Sequence, residues 1–404
     1  MESKTKSNKK GKSMHLEHIS LLNFKNIEHA ELDFATSING LVGDNGAGKS
    51  NILDAIHFLS MSKSMLPLTD GQSVRHGSEF FVVDGKYRTS SSRQEVISCS
   101  YSRQRSAGKT LKRNGKEYER LSDHVGLIPV VVVSPYDTAL ISDSAEERRR
   151  FLNLLISQFD SQYLMSLIKY NALLQQRNRV LKSGGDEQML QIYDQQLAPH
   201  AQLIEQRRRE TLQSMTPLVC RFYELLSGGR EEVNLEYHST LTQSDFIELL
   251  AASRERDIIN GHTTVGIHRD DINFSIGGYP LRKYGSQGQQ KSFLVALKLA
   301  QYQKVSEAKG EQPILLLDDL FDKLDRGRVE QLIRLVSGEE FGQIFISDCN
   351  RERLQSILGK ADVEYKIFQV NQGKIADQEE QSANQEEQSA NQEEQSANQE
   401  EQSS

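Results

Sequence analysis

Between Gly43 and Ser50 the chain reads GDNGAGKS. Small residues at that density, ending in a lysine and a hydroxyl, suit the capture of clustered negative charge. Gly43, Asp44, Asn45, Gly46, Ala47, Gly48, Lys49 and Ser50 fit G-x-x-x-x-G-K-[ST] without a mismatch. The glycines let backbone N–H groups close around phosphates. Lys49 adds a point charge at the β/γ end, and the Ser50 hydroxyl is a ligand for Mg2+. A second constellation lies near the other end of the chain, where the apolar run ILLL leads into Asp318 and Asp319. Beside a phosphate-binding loop, that pair reads as the carboxylates of ATP hydrolysis. Asp318 would hold the hydrated magnesium and Asp319 would polarise the attacking water. Aspartate is one methylene shorter than glutamate, so slow turnover is expected.

A third stretch, YGSQGQQKS from Tyr284 to Ser292, is another Gly-rich helix entrance with outward-pointing N–H groups. It precedes the carboxylate strand by about 25 residues. That is the arrangement of ATPases whose signature loop reaches nucleotide bound to a partner subunit. Two chains placed head to tail would then bury two nucleotides. Each would lie between one phosphate loop and the other chain's Ser286, Gln287, Gly288 and Gln289. The neighbouring Phe321–Asp325 segment, FDKLD, suits a loop communicating across such an interface.

These residues need a framework. From Met14 to about Val133 the pattern is strand-rich, with HISLLNF, AELDF, SINGLV, EFFVVDGKY, EVISCSY and GLIPVVVV as strands. TLKRNGKEY carries the Asn114-Gly115 hairpin signal. From Asp137 to about Gly261 the period becomes helical, broken at Lys182-Ser183-Gly184-Gly185. Strands return in DINFSIGG, PILLLDD and GQIFISD. The expected architecture is an α/β domain built from residues 14–136 and 262–376, with a mainly helical domain inserted at 137–261. A basic leader at 1–13 and a tail at 377–404 are expected to be disordered.

Composition narrows the setting. The chain has 404 residues, and its net charge of −7 comes mostly from its ends. The tail, a repeat of the form NQEEQSA, holds one Asp and eight Glu with no Lys or Arg. It lacks the apolar residues a coiled-coil seam needs. The leader holds five Lys and one Glu. It has no apolar segment behind it and so is not a secretory signal, and Met14 is an alternative start. The body between is near neutral, so any polyanion must bind through local basic patches. No apolar run approaches the roughly 18 residues of a membrane span. Three separated cysteines (Cys99, Cys220, Cys349) argue against a disulfide framework or a zinc site. A cytoplasmic protein without membrane contact is expected.

The ordered set NFKNI, GDNGAGKSN, RRRFLN, GIHRDD, YGSQGQQK and LLLDDLFDKLD resembles the RecF family of SMC-related ATPases, from about Met14 to Val370. RRRFLN and GIHRDD are the narrow signals. The chain departs from the family pattern at Lys25 (Arg expected), Asn153 (Asp), Ile267 (Pro) and Ser347-Asp348, where transporter-type ATPases carry a histidine. The resemblance implies an ABC-type P-loop ATPase head that dimerises on ATP and binds DNA, especially at single-strand/double-strand junctions. It also implies loading of recombinase onto gapped DNA with RecO- and RecR-like mediators. Arg148-Arg149-Arg150, Arg207-Arg208-Arg209 and Arg282-Lys283 each fit a solvated helix face or a DNA contact. With no Trp and 7% aromatics, backbone and shape contacts are expected rather than base stacking. Alternative readings are a transporter motor subunit or an SMC-type structural protein. The helical insertion and the missing histidine weigh against the first. The second lacks chain length for long coiled-coil arms.

Overall fold

A computed structural model describes residues 13–104, 108–229, 231–242, 245–319, 326–359 and 363–381. The leader up to residue 12, the Phe321–Asp325 loop and the tail beyond Gln381 lie outside the described residues. The chain divides into two compact units. One takes the described residues of Met1–Leu121, Val130–Ser134 and Glu311–Ser404, and the other takes those of Ser122–Pro129 and Pro135–Gly310.

In the first unit the chain runs through β1 (His15–Phe24), β2 (Ile27–Asp33), β3 (Ile38–Val42) and α1 (Lys49–Met61). It continues as β4 (Phe80–Arg88), β5 (Gln94–Ser102), β6 (Lys109–Arg113), β7 (Lys116–Glu117) and β8 (Val130–Val133). The second unit holds α2 (Ala139–Ser142), α3 (Ala145–Ser157), α4 (Ser161–Lys182), α5 (Glu187–Ser227), β9 (Val233–His238) and α6 (Phe246–Asn260). It is completed by β10 (Asp271–Ile276), β11 (Tyr279–Pro280), α7 (Leu281–Tyr284) and α8 (Gln287–Lys309). The chain then returns to the first unit as β12 (Ile314–Leu317), α9 (Arg326–Val336), β13 (Ile344–Asp348), α10 (Arg351–Leu358), β14 (Tyr365–Asn371) and β15 (Lys374–Gln381).

Among the described residues, the first unit contains two six-stranded sheets. One is antiparallel, in the order β2-β1-β4-β5-β6-β7. Asn114 and Gly115, both at positive φ, make its last hairpin turn. The other has the order β15-β14-β3-β13-β12-β8, parallel except at β15. Its central strands INGLV, ILLL and IFISD are buried at every position, which is why they read as unbroken apolar runs rather than alternating ones. Helix α1 packs against both sheets, touching β1, β4 and β5 as well as β13. It is accordingly buried around most of its circumference. Phe24, Phe58 and Phe81 meet edge to face there, with ring centroids 5.3–5.8 Å apart.

The second unit is organised around α5, which packs on α4 and α8, beside the antiparallel sheet β11-β10-β9. Buried charge ties its helices together. Arg177 on α4 donates to Asp194 of α5 at 2.7 Å, to Asp257 of α6 at 2.9 Å and to the Thr263 hydroxyl at 2.8 Å. All three charged side chains are almost fully buried.

The expected domain limits shift in two places. A boundary at Gly261 would cut the β9–β10 ladder, in which Val233–His238 pairs with Asp271–Ile276, so the helical unit runs on through the signature helix to Gly310. The expected disordered tail also begins too early, because β15 extends through Asp377 to Gln381 by pairing with β14. Among the described residues, no helix is long and apolar enough to cross a membrane, and the cysteines form no disulfide.

Removing Arg177 strands a buried Asp257. Arg177→Met is expected to cost about 3 kcal/mol or more in urea unfolding. Adding Asp257→Asn should recover part of that loss, whereas a purely steric role for Arg177 would leave the double variant no better than the single one.

Candidate nucleotide site and signature helix

The parallel sheet delivers the chemistry to one edge. β3 pairs in register with β13, and β13 with β12, so Gly43, Asp318 and Asp348 all emerge at carboxyl ends of neighbouring strands. In open α/β sheets ligands bind at that edge. The loop after β3 exposes Asp44, Asn45 and Gly46 and buries Ala47, Gly48 and Lys49. Two glycines are dictated by close approach. A Cβ on Gly43 would lie 2.1 Å from the Val370 carbonyl oxygen, and one on Gly48, at φ 117°, would lie 2.8 Å from Asn26 Oδ1. Gly48 caps α1 without any side-chain bond, and the first turn carries no acid. The positive end of α1 is therefore open to an anion.

Lys49 lies folded against its own loop, donating to the carbonyls of Gly43 at 2.8 Å and Asp44 at 3.1 Å. Ser50 Oγ donates to Asp318 Oδ1 at 2.8 Å. Burial, the dominant influence, pushes the Asp318 carboxyl above its ordinary range, while hydroxyl bonds from Ser347 and Ser50 pull the other way. A hydroxyl and a buried carboxylate this close form a hard-oxygen donor pair. Among the described residues there is no cluster of three or more acidic, His or Cys ligands. The Ser50/Asp318 pair fits Mg2+, which takes one or two protein oxygens and completes its shell with water and phosphate.

The structure gives roles to residues that the sequence analysis named only as a departure from the family pattern or as part of a motif. Ser347, fully buried on β13, donates to Asp318 Oδ1 at 2.7 Å and accepts from Asp319 N at 2.8 Å. Asp319 itself has φ 42°, a conformation uncommon for aspartate. Asn26 donates to the Ala47 carbonyl at 3.2 Å and accepts from Asn51 Nδ2 at 2.7 Å, bracing the loop from outside. The GQIFISD strand could have pointed to Ser347 only if its register against LLLDD had been known.

The departures from the family pattern all find partners. Lys25 pairs with buried Asp54 at 2.6 Å. Asp348, at the usual histidine position, is held by the Arg353 guanidinium and by Asn350 N. Asn153 Oδ1 accepts from Tyr163 OH at 2.6 Å and Arg208 Nη2 at 3.0 Å. The backbone carbonyl of Ile267 accepts from Arg208 Nη1 at 2.7 Å.

In two of the three candidate basic clusters some arginines turn inward and the others stay partly exposed. Arg148 makes a bidentate pair with Asp271. Arg149 donates to the Asp270 carbonyl. Arg208, 1% exposed, pairs with Asp270 at 2.9 Å, and Tyr237 OH closes the same carboxylate. Arg207 and Arg209 meet Asp160, Glu210 and Glu205. RRRFLN and GIHRDD are thus joined in one network through Arg148 and Arg149, while Arg150, Arg207 and Arg209 stay partly exposed beside acidic neighbours. Arg282 and Lys283 remain exposed.

The signature stretch opens α8. Ser286 Oγ accepts from Gln289 N, and Gln289 Oε1 accepts from Ser286 N, a reciprocal capping box. Gln289 Nε2 also reaches Glu231 at 2.9 Å. Gln287 is exposed beside half-buried Gly288, so the entrance to this 23-residue helix is capped yet accessible.

A P-loop, paired carboxylates on the adjoining strand and a Gly-rich signature helix on this fold define an ATPase head of the SMC-related ABC type. The family model for the RecF/RecN/SMC N-terminal domain matches residues 15–376. The DNA replication and repair protein RecF of Phocaeicola vulgatus is 44% identical over 372 residues, covering 91% of this chain and all of that protein. RecF of Bacteroides fragilis is 45% identical over 370 residues with the same coverage. A solved RecF–ATP structure, a recombination mediator of the RecFOR pathway, superposes with a TM-score of 0.82 at 30% identity, over 91% of this chain and 98% of that one. The Pyrococcus furiosus Smc head domain shares the fold alone, with a TM-score of 0.54 at 15% identity. This chain belongs to the RecF family of DNA replication and repair proteins.

Ser347→Ala removes the one side-chain acceptor that holds Asp319 N. ATP turnover is expected to fall about tenfold, the worth of one positioned hydrogen bond, with nucleotide affinity nearly unchanged. Single-turnover kinetics beside a nucleotide titration separates the two, and an equal loss in both would mean that Ser347 supports the loop rather than the carboxylates.

Proposed function

We propose that this chain is a slow, switch-like ATPase that closes as a head-to-tail dimer on ATP and binds DNA at gaps or single-strand/double-strand junctions. There it helps load recombinase in the cytoplasm alongside RecO- and RecR-like mediators. The observation that carries the reading is the convergence of Lys49, Ser50 and Asp318 at the open N-terminus of α1. In this reading the backbone N–H groups from Gly43 to Ser50 receive the phosphates. Lys49 exchanges its two loop carbonyls for phosphate oxygens. Ser50 and Asp318 hold Mg2+, which when bound neutralises charge building on the triphosphate. Asp319 orients the attacking water. The accessible entrance of α8, with Ser286, Gln287, Gly288 and Gln289, meets nucleotide on the opposite copy. The ATP in the solved RecF relative supports the nucleotide assignment.

Lys49→Ala is expected to abolish nucleotide binding and, with it, nucleotide-dependent dimerisation in analytical sedimentation. Ser286→Arg should leave ATP binding by the monomer intact while abolishing dimerisation and hydrolysis. If Ser286→Arg weakens monomer affinity as much as Lys49→Ala does, the signature acts within its own chain and the dimeric reading fails.

A further inference from the structure

The second unit contains a groove of about 530 Å³ between the open face of β9 and β10 and the short helix α7, with Asn234, Glu236, Asn273, Ser275, Arg282 and Lys283 among its lining. The lining mixes apolar side chains with the amides of Asn234 and Asn273. Glu236 is the only carboxylate among the lining residues, and it lies 3.2 Å from His238. Arg148, in the far wall, is already committed to Asp271. Arg282 and Lys283 have no carboxylate within ion-pair distance among the described residues, whereas Arg148, Arg150, Arg207, Arg208 and Arg209 each have one. Either side of them in sequence stand Tyr279 and Tyr284, 59% and 64% exposed. Their ring centroids are 5.1 Å apart, with the planes inclined at 43°. Two large aromatic faces left in water beside two unpaired cations are costly to solubility and useful to a ligand with both π-faces and phosphates.

We propose that this groove and its tyrosine knuckle hold a segment of single-stranded nucleic acid, with backbone phosphates on Arg282 and Lys283 and bases against Tyr279 and Tyr284. The assignment rests on the DNA-binding reading above and goes beyond it by naming a strand-specific site. It departs from the expectation of backbone and shape contacts because the exposed tyrosine pair supplies stacking faces that the low aromatic content did not suggest. A duplex keeps its base faces stacked on one another, so exposed rings offer it little, whereas an open strand gains both stacking and charge neutralisation. The uncharged amides of Asn234 and Asn273 suit sequence-tolerant contact.

The test is fluorescence anisotropy of the full chain with a labelled oligothymidylate and with a blunt duplex of equal length, across a salt series. Arg282→Glu/Lys283→Glu should weaken strand binding and reduce the slope of log affinity against log salt by about 1.4, two phosphate contacts at ~0.7 each. Tyr279→Ala/Tyr284→Ala should weaken the strand about tenfold or more, leave the slope unchanged and barely affect the duplex. All four positions are exposed, so melting temperature and ATP affinity should match the parent chain. Strand affinity within twofold of the parent for both variants would overturn the site. So would a tyrosine variant that loses duplex and strand equally, or one that loses only ATP-dependent self-association, which would make the knuckle a contact between copies. A parent chain that binds neither probe would instead sink the DNA reading itself.

Discussion

The hydrogen bond from Ser50 to Asp318 spans 268 positions of sequence, and the rest of the first unit exists to make it possible. Ser50 belongs to the first turn of α1, and Asp318 follows directly on β12. They meet because β13, from late in the chain, inserts between β3 and β12. Four strands from beyond Gly310 must therefore join β3 and β8 before any site exists. The apolar runs INGLV, ILLL and IFIS supply the driving force, since each strand is buried on both faces. Burial at that edge also makes the Asp318 charge costly, which is the condition under which a cation and a triphosphate are welcome.

Much of this was legible in the sequence. The phosphate loop, the paired aspartates, the hairpin at Asn114-Gly115 and the helical middle all have local causes: glycine geometry, strand length and hydrophobic period. What local patterns could not reveal was pairing between distant segments. Nothing in EEVNLEY says that it will pair with DINFSIGG, so the boundary at Gly261 was placed inside what is a single sheet. Nothing in KIADQEEQ reads as a strand, because its pairing with YKIFQVN is a backbone matter supplied by the partner strand. Ser347 likewise looks like one hydroxyl among many until β13 sets it beside Asp318 and Asp319.

Arginine was the residue type most easily misread. Three in a row suggest a surface for polyanions, yet Arg148, Arg149 and Arg208 are drawn inward to the carboxylates and carbonyls of the DINFSIGG strand and the loop before it. The arrangement favours Arg over Lys, because a fork of donors can meet a carboxylate bidentately and still reach a backbone oxygen, as Arg148 does with Asp271 and Leu140. The cost of burying such pairs is offset only when every lone pair is used. Asn153, Tyr163 and Tyr237 supply the partners around Arg208 and the Asp270 Oδ2 oxygen, while Asp270 Oδ1 is buried without a hydrogen-bond partner.

That commitment bears on how a near-neutral body meets a polyanion. A near-neutral body has no broad positive field to steer DNA, so it must rely on local groups of cations. Arg282 and Lys283 are such a group, and they sit one short turn ahead of Ser286, the cap of the signature helix. α7 ends at Tyr284, and the Gly285 N–H returns to the Leu281 carbonyl at 2.9 Å, so the knuckle and the capping box form one continuous backbone path. Gln290 fastens that path further by donating to the carbonyls of both Leu281 and Gly285. A ligand that pulled on the knuckle would act on the entrance of α8 through these bonds rather than through a flexible linker. Coupling between a bound strand and the ATP-dependent state would then need no large motion, only a changed preference at the Ser286 cap.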